Sequence, residues 1–234
     1  FGIQIIADFG GYSDMAIGTA QLLGFKLPEN FDRPLVATGP SEFWRRFHMT
    51  MSLWLRDYVF VPLLGKRPTM LRGALALAMT AFLCGLWHGA GWNFVLFGVF
   101  HGVGLAVEAG VVRLGWLTAG AREESRRLKL AAILATTAFT ALGAFFLRVP
   151  DLSTYAKVVT QWLQGGWSVQ VGPTAVVILL VGWAAQVLPT SVDRFAFEWF
   201  SRLPGWVQGV ALAALFGVLS TVRETLTPFI YFHF

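Results

Sequence analysis

Charged side chains are scarce in this sequence of 234 residues. Only 13% of its residues are charged, whereas soluble domains contain about 25%, so little polar surface remains to solvate a globule of this size. Hydrophobic residues make up 56% of the sequence, and ten Trp and 21 Phe add to the apolar excess. The shortage of charge excludes an ordinary soluble domain and predicts a protein embedded in a lipid bilayer.

Cysteine is nearly absent as well. Cys84 is the single one and lies within an apolar run, so no disulfide forms inside this sequence and cysteine usage does not indicate the redox compartment. A signal peptide is also missing, since Phe1 opens directly into an apolar stretch without an initiator Met. We therefore expect the sequence to be the C-terminal part of a longer protein.

Several catalytic motifs are missing too. The sequence has no His-x4-Asp pair, no phosphate-binding Gly-Lys-Ser/Thr loop, no Gly-x-Ser-x-Gly nucleophile and no Cys/His array for a metal. From these absences we expect the protein to have no metal site and no bound cofactor. A covalent acyl-enzyme is also disfavoured, because it normally needs an activated Ser or Cys.

Apolar runs long enough to cross a bilayer are what the sequence has instead. A spanning helix needs roughly 20 apolar residues. Five runs are of about this length: Leu71–Trp87, Trp92–Val112, Leu130–Leu147, Val169–Val192 and Gly205–Val222. A sixth, Phe1–Phe25, also contains two Asp residues. The prediction is an all-α polytopic membrane protein, one embedded domain over residues 1–234, with about five or six transmembrane helices plus amphipathic interfacial helices.

Positive charge is grouped in the loops between these runs. Eight Lys/Arg residues lie in Lys26–Arg72 and five lie in Arg113–Lys129. The positive-inside rule puts both segments on the cytoplasmic side, and the His88–Gly91 connection and Arg148–Trp167 on the outer side. We interpret the net charge of +5 as a signal of membrane orientation rather than of nucleic-acid binding.

The segment Ser41–Val59 is too charged to span, yet it is periodic. Its apolar residues and His48 recur at helical spacing, which predicts one amphipathic helix at the interface with Ser41 as its cap. The residues sharing this face are Trp44, Phe47, His48, Met51, Trp54, Leu55 and Tyr58. Leu152–Leu163 is predicted to be a second, shorter interfacial helix.

Three histidines lie in or beside apolar segments. His88 is at the junction of two apolar helices between glycines, where it is either a proton acceptor or a helix-end side chain bonded to a carbonyl. His48 faces the bundle, or else reaches the lipid headgroups. His101 lies within a span near Gly98 and Gly102, where a structural hydrogen bond between helices is the favoured interpretation.

Two carboxylates interrupt the first apolar stretch. Asp8 and Asp14 are six residues apart and flank Gly10-Gly11, which suggests a broken helix beside a polar cavity. These residues are either structural or the coupling sites of an ion-driven transporter. The transporter is the competing functional class, although the sequence shows no internal repeat of the kind that transporters often contain.

At several ordered motifs the sequence resembles the membrane-bound O-acyltransferase family, and within it the bacterial enzymes that acetylate alginate-like exopolysaccharides. The matching residues are Asp8–Ala16, Leu27–Phe31, Phe43–His48, Trp54–Tyr58, Gly85–Ala90 and Pro228–Phe232. The resemblance implies that His88 is the active-site histidine and His48 a second functional histidine, both beside a tunnel through the membrane.

The resemblance also implies the reaction and its setting. An acyl thioester such as acetyl-CoA is expected to enter from the cytoplasm of a bacterial inner-membrane protein, as a substrate rather than a cofactor. A hydroxyl acceptor is expected on the other side, with a periplasmic acetyl-accepting protein as partner and a polysaccharide as the final acceptor. Arg45, Arg46 and Arg56 either meet the phosphates of this donor or are solvated at the interface. Trp44, Trp87 and Asn93 are also assigned to donor binding.

Under this hypothesis His88 removes the hydroxyl proton while the oxygen attacks the thioester carbonyl. His48 either orients the donor or stabilises the developing oxyanion. A third functional class, a purely structural membrane subunit, predicts instead that both histidines tolerate replacement.

Overall fold

The described part of the chain is helical throughout its regular structure. The computed structural model describes residues 2–67, 69–115, 125–149, 151–165 and 172–222. The helices are α1 (Gly2–Leu22), α2 (Pro40–Arg46), α3 (Met49–Leu55), α4 (Val61–Leu64), α5 (Met70–His88), α6 (Trp92–Arg113), α7 (Arg126–Arg148), α8 (Leu152–Leu163), α9 (Pro173–Val187), α10 (Thr190–Ser201) and α11 (Gly205–Val222). The predicted all-α class is therefore confirmed for these residues.

Three helices are long and apolar enough to cross a membrane. α5, α6 and α7 contain 19, 22 and 23 residues, and a rise of about 1.5 Å per residue gives each a length close to the roughly 30 Å of a hydrocarbon core. No more than 22% of each apolar window is buried within the protein. Their outward faces are apolar, which fits contact with lipid rather than with water.

The other predicted spans correspond to shorter or more polar helices. α9 starts at Pro173 and ends at Val187, because Pro189 interrupts the run, and residues 169–171 of the predicted span lie outside the described residues. Length and composition support three spans among the described residues, or four if the helices on either side of Pro189 count as one broken span. The end motif Pro228–Phe232 and His233 also lie outside the described residues.

The first helix differs from its prediction. α1 runs without a break from Gly2 to Leu22, so the expectation of a helix broken at Gly10-Gly11 is wrong. A Cβ at Gly11 would meet no atom within 4 Å, and one at Gly10 would make only ordinary contact with Phe31. Neither glycine is needed for close packing, and neither creates a break.

The interfacial segment is not one helix. Ser41–Val59 divides into α2, α3 and a π-helical turn over Arg56–Phe60, and α4 follows this turn. The break falls at His48, whose φ of 46° and ψ of 52° lie in the left-handed region that non-glycine residues rarely adopt. Ser41 is not the cap of α2 either, because Gly39 occupies the N-cap position with Pro40 as the first helical residue. Instead, the Ser41 backbone N–H donates to Glu108 Oε2 at 2.7 Å.

Helices α5 and α6 form a tightly packed hairpin with His88 at its turn. Small residues make the close approach possible, since a Cβ at Gly85 would overlap the Phe94 carbonyl oxygen and lie 3.2 Å from Gly98 Cα. A Cβ at Gly98 would in turn lie 3.1 Å from Phe82 Cα. Contact between backbones is the usual way in which membrane helices gain packing energy.

The chain divides into two compact units. One extends to Gln186 and contains α5, α6 and α7, while the other begins at Val187. α8 has the predicted bounds Leu152–Leu163, and its N-cap Asp151 accepts the Thr154 backbone N–H at 2.8 Å. Both the interfacial position of α8 and the single-domain organisation stay predictions.

Candidate active site

The two histidines predicted to be catalytic both contact one tryptophan, Trp87. The Trp87 ring centroid lies 5.6 Å from that of His48 and 4.9 Å from that of His88. His88 is the last residue of α5, whereas His48 precedes α3. The fold therefore brings together two imidazoles that are 40 residues apart in the sequence.

His48 is held by a neighbouring loop. Its Nδ1 lies 3.2 Å from Asn30 Oδ1, and the same oxygen accepts bonds from the backbone N–H and the hydroxyl of Thr50. The carbonyl oxygen of Asn30 accepts the backbone N–H of Met49. Asn30 thus caps the first turn of α3, a function that a side chain at the N-cap position normally performs.

The remaining nitrogen of His48 is buried. No hydrogen-bond partner reaches His48 Nε2 within the described residues, and Phe9 packs edge-on against the ring at 4.7 Å. Burial, together with the charge of His88, lowers the pKa of His48 from 6.5 to about 4. At pH 7 the ring is therefore neutral, because desolvation disfavours the charged form.

His88 lies against an aromatic wall at the hairpin turn. Its ring stacks on Phe94 at 6.4 Å and meets Phe97 edge-on at 5.6 Å. A Cβ at the following residue, Gly89, would overlap the Phe94 ring. Glycine at this position therefore lets the chain turn while Phe94 stays close to the imidazole.

His101 makes the structural hydrogen bond that its sequence position favoured. Its side chain is 3% exposed, and its Nδ1 accepts the Trp44 indole N–H at 3.3 Å. A Cβ at Gly143 of α7 would overlap the other ring nitrogen. His101 therefore connects α6 with α2 and fits against a gap that only glycine leaves open.

A cavity of about 560 Å³ lies beside the histidine pair. Three of the residues assigned to donor binding, Trp44, Arg45 and Arg56, line it. The other lining residues are Ser41, Met49, Ser52, Leu53, Leu55, Phe60, Leu77, Thr80, Ala81, Cys84, Phe97, His101 and Leu105. His48 and His88 are not among them, and Phe97 contacts both His88 and the cavity.

The other three residues assigned to the donor lie elsewhere. Arg46 forms ion pairs with Glu42 at 2.9 Å and Asp32 at 3.1 Å, Asn93 is buried in the first turn of α6, and Trp87 contacts both histidines. Burial alone would raise the pKa of Glu42, but bonds from Thr38 and Arg46 outweigh it and lower the pKa below 4.5. Arg46 is therefore engaged in holding the loop to α2.

Sequence reasoning gave no role to two residues of this site. Asn30 was part of a recognised motif, but it lies 18 residues before His48, so no local pattern indicated that it caps α3. Phe97 occupies one position among many apolar ones in α6, so no sequence signal separates it from a lipid-facing phenylalanine.

The two carboxylates of α1, Asp8 and Asp14, are the residues on which the transporter alternative depends. Asp14 is exposed, and α1 is unbroken around both residues. Within the described residues, no group of three or more His, Cys, Asp or Glu side chains is arranged to hold a metal ion. The geometry therefore offers no support for the transporter alternative.

Comparison with known proteins gives a consistent family. The profile of MBOAT, the membrane-bound O-acyltransferase family, matches residues 1–148. The chain is 48% identical over 105 residues to a probable alginate O-acetylase from Azotobacter vinelandii, covering 45% of this chain and 21% of the relative. It is 36% identical over 159 residues to the peptidoglycan O-acetyltransferase of Helicobacter pylori, covering 68% and 29%.

A third relative transfers a different group. The chain is 37% identical over 117 residues to the teichoic acid D-alanyltransferase of Streptococcus thermophilus, covering 46% of this chain and 28% of the relative. In all three comparisons the matched segment spans less than a third of the curated relative.

Proposed function

The chain belongs to the membrane-bound O-acyltransferase family. We propose that it contributes the histidine site of an enzyme that moves an acyl group, the acetyl group in our proposal, from a thioester to a hydroxyl. The observation that supports this proposal best is the contact of both His48 and His88 with Trp87. Placing two imidazoles, one buried and one half-buried, beside one ring is costly in a membrane protein unless they take part in chemistry.

His88 is the proposed general base. Its imidazole takes the proton of the acceptor hydroxyl while the oxygen attacks the thioester carbonyl, and the thiolate leaves as the new ester forms. His48 either orients the donor or stabilises the oxyanion that develops on the carbonyl oxygen. Phe94 and Phe97 pack on the His88 ring and reduce the access of water to it, which limits hydrolysis of the thioester.

The cavity beside the histidines is the proposed donor site. Its lining is largely apolar, with Arg45 and Arg56 as cationic groups, which suits an apolar thioester arm attached to phosphates, as in acetyl-CoA. The grouping of positive charge in Lys26–Arg72 supports entry from the cytoplasm. Phe97 lines the cavity and also contacts the His88 ring, so a thioester bound there lies close to the proposed base.

The acceptor is proposed to lie on the extracytoplasmic side of a bacterial inner membrane. Acetyl transfer through a periplasmic partner protein to an exopolysaccharide fits the similarity to the alginate O-acetylase. Peptidoglycan acetylation and D-alanyl transfer to teichoic acid fit the other two relatives. In each case the acceptor belongs to the cell envelope, and membrane lipid surrounds the enzyme.

Replacing the proposed base tests the reaction. In the whole protein, His88→Gln keeps a polar side chain of similar size but takes no proton, so we expect acyl transfer to fall by about 10²–10⁴-fold. The unfolding temperature in detergent shows whether the variant is folded. Near-normal transfer by a folded His88→Gln variant would contradict the proposal and leave a structural membrane subunit.

Replacing the cavity arginines tests the donor site. Arg45→Ala and Arg56→Ala are expected to raise the KM for the thioester donor with little change in the unfolding temperature. Arg67→Ala is the matched control, because Arg67 is exposed in the same basic segment and is not a lining residue. If all three variants have the KM of the unsubstituted protein, the donor does not bind in this cavity.

A further inference from the structure

The side-chain amide of Asn30 binds three elements at once. Its Nδ2 donates to Ser13 Oγ of α1 at 3.2 Å, and its Oδ1 lies within 3.2 Å of His48 Nδ1 and of the Thr50 backbone nitrogen. The side chain is 7% exposed. An amide with these partners has little freedom to rotate.

The orientation of this amide follows from the partners themselves. A backbone N–H only donates, so the Asn30 atom facing the Thr50 nitrogen must be the oxygen. The Thr50 hydroxyl also reaches that oxygen, at 2.9 Å. Ser13 Oγ uses its hydrogen on the Phe9 carbonyl oxygen at 2.9 Å, so it accepts from the Asn30 NH₂ group. Both ends of the amide are therefore assigned by the hydrogen-bond network.

The protonation of His48 follows in turn. Its Nδ1 faces an amide oxygen, which accepts and never donates, so in the neutral ring the hydrogen is on Nδ1. The other nitrogen, Nε2, then presents a lone pair. That atom is buried and has no hydrogen-bond partner among the described residues, and it belongs to the ring that packs on Trp87 beside His88.

We propose that Asn30 is a positioning residue that holds His48 as the Nδ1–H tautomer, so that Nε2 accepts a hydrogen bond from an O–H or N–H group of a substrate. This inference rests on the proposed function and decides between its two roles for His48. A neutral ring without hydrogen on Nε2 cannot donate to an oxyanion, so His48 orients a substrate instead.

The backbone supports the same assignment. His48 has left-handed φ and ψ angles, which an imidazole residue adopts only where the surroundings hold it. Asn30 stabilises this backbone conformation, because its carbonyl oxygen accepts a hydrogen bond from Met49 and its amide oxygen accepts one from Thr50. These are the first two residues of α3. The residue that turns the chain at His48 is thus the residue that orients its ring.

A purely structural role for Asn30, as the cap of α3, must be separated from this one. Asn30→Asp makes the distinction, because Asp caps a helix as well as Asn does and still accepts the bond from Nδ1. Its negative charge, however, favours the imidazolium form, which has hydrogen on both nitrogens. Two helices bring other groups near the His48 ring. Helix α1 contributes the apolar Phe9. Helix α5 contributes His88, whose charge lowers the pKa of His48, whereas a carboxylate at position 30 would raise it.

The first experiment reads the tautomer directly. Nitrogen-15 NMR of the whole protein, with labelled histidine and the His48 signals assigned by their loss in His48→Gln, is expected to show hydrogen on Nδ1 and none on Nε2 at pH 7. Ser13→Ala is the matched control, since it removes the bond at the other end of the amide, and should leave the tautomer unchanged. Hydrogen on Nε2 in the unsubstituted protein would overturn the proposal.

The second experiment connects the tautomer to acyl transfer. Asn30→Asp loses the Nδ2 bond to Ser13, so its unfolding temperature is compared with that of Ser13→Ala, which lacks the same bond. Asn30→Asp is expected to raise the His48 titration midpoint by about 1–3 pH units. At a pH where NMR shows His48 protonated only in this variant, transfer should fall at least about tenfold and recover at higher pH. Transfer at the unsubstituted rate while His48 is protonated would refute the orienting role.

The two readouts separate failure of this inference from failure of the proposed function. If the unsubstituted protein transfers no acyl group to any tested hydroxyl, the proposed function and the orienting role fall together. The NMR experiment still decides whether Asn30 sets the tautomer, because it needs no substrate.

Discussion

Adding a methyl group to Gly85 should separate the two helices that form the His88 turn. The new Cβ would overlap the carbonyl oxygen of Phe94 and lie 3.1 Å from the Gly98 nitrogen and 3.2 Å from its Cα. These neighbours are backbone atoms of α6, so no side chain can rotate away. The helices must move apart, and the turn that holds His88 moves with them.

The size of the effect comes from two opposing terms. Overpacking of this kind costs about 1–3 kcal/mol, while replacing glycine by alanine within a helix returns up to about 1 kcal/mol. The net loss is up to about 2 kcal/mol, which lowers the unfolding temperature of a chain of this length by up to about 8 °C. Acyl transfer should fall as well, since a displacement of about 1 Å in a catalytic group costs up to about 10²-fold in rate.

The matched control is a second glycine of the same helix. A Cβ at Gly73 would lie 3.8 Å from a Leu64 methyl group, which is ordinary contact, so Gly73→Ala should leave the unfolding temperature unchanged or raise it. Both variants are compared by thermal unfolding in the same detergent and by acyl transfer in the whole protein. Equal behaviour of Gly85→Ala and Gly73→Ala would refute the close helix contact and its role in holding His88.

Three further predictions test other parts of the site. Because the pKa of His48 is lowered from 6.5 to about 4, its neutral form contributes stability that is present above pH 6.5 and lost as the pH falls towards 4. The loss in the free energy of unfolding is on the order of 3 kcal/mol. Unfolding of the His48→Gln variant should lack this part of the pH dependence. Gly143→Ala should push the His101 ring away from Trp44 and shift the Trp44 indole N–H resonance, whereas Gly110→Ala, where a Cβ meets nothing within 4 Å, should leave it in place. Glu42→Gln should cost about 1 kcal/mol in unfolding experiments at pH 7, and the difference should disappear as the pH falls through the lowered pKa of Glu42, since its contribution exists only while the carboxylate is charged.

Much of the fold was predictable because membrane helices are specified locally. In a bilayer each spanning segment must satisfy its own backbone hydrogen bonds and must be apolar along its length. The runs that became α5, α6 and α7 were therefore visible as composition alone. The periodicity of Ser41–Val59 was sufficient to predict a helix. The break at His48, however, depends on its contact with Asn30, which lies 18 residues earlier. That contact does not alter the helical spacing of the apolar residues.

The candidate site shows the same division. Histidines in apolar surroundings are conspicuous in a sequence, because burying an ionisable group is costly and therefore uncommon. Which nitrogen is protonated, which arginines reach the cavity and which one is held by carboxylates depend on contacts between distant segments. Arg45 and Arg46 are neighbours in the sequence, yet one lines the cavity and the other pairs with Glu42 and Asp32.

The sequence by itself determined the helical class, the three long apolar spans and the two candidate histidines. Each of these depends on the cost of solvating a single segment, which is set by the residues of that segment alone. Only the tertiary structure decided that His48 and His88 share Trp87, that glycines bring α5 against α6, and that Asn30 faces the imidazole of His48. Those features depend on distances between atoms of segments that are far apart in the chain. Distances of this kind are set by packing, which composition and periodicity do not encode.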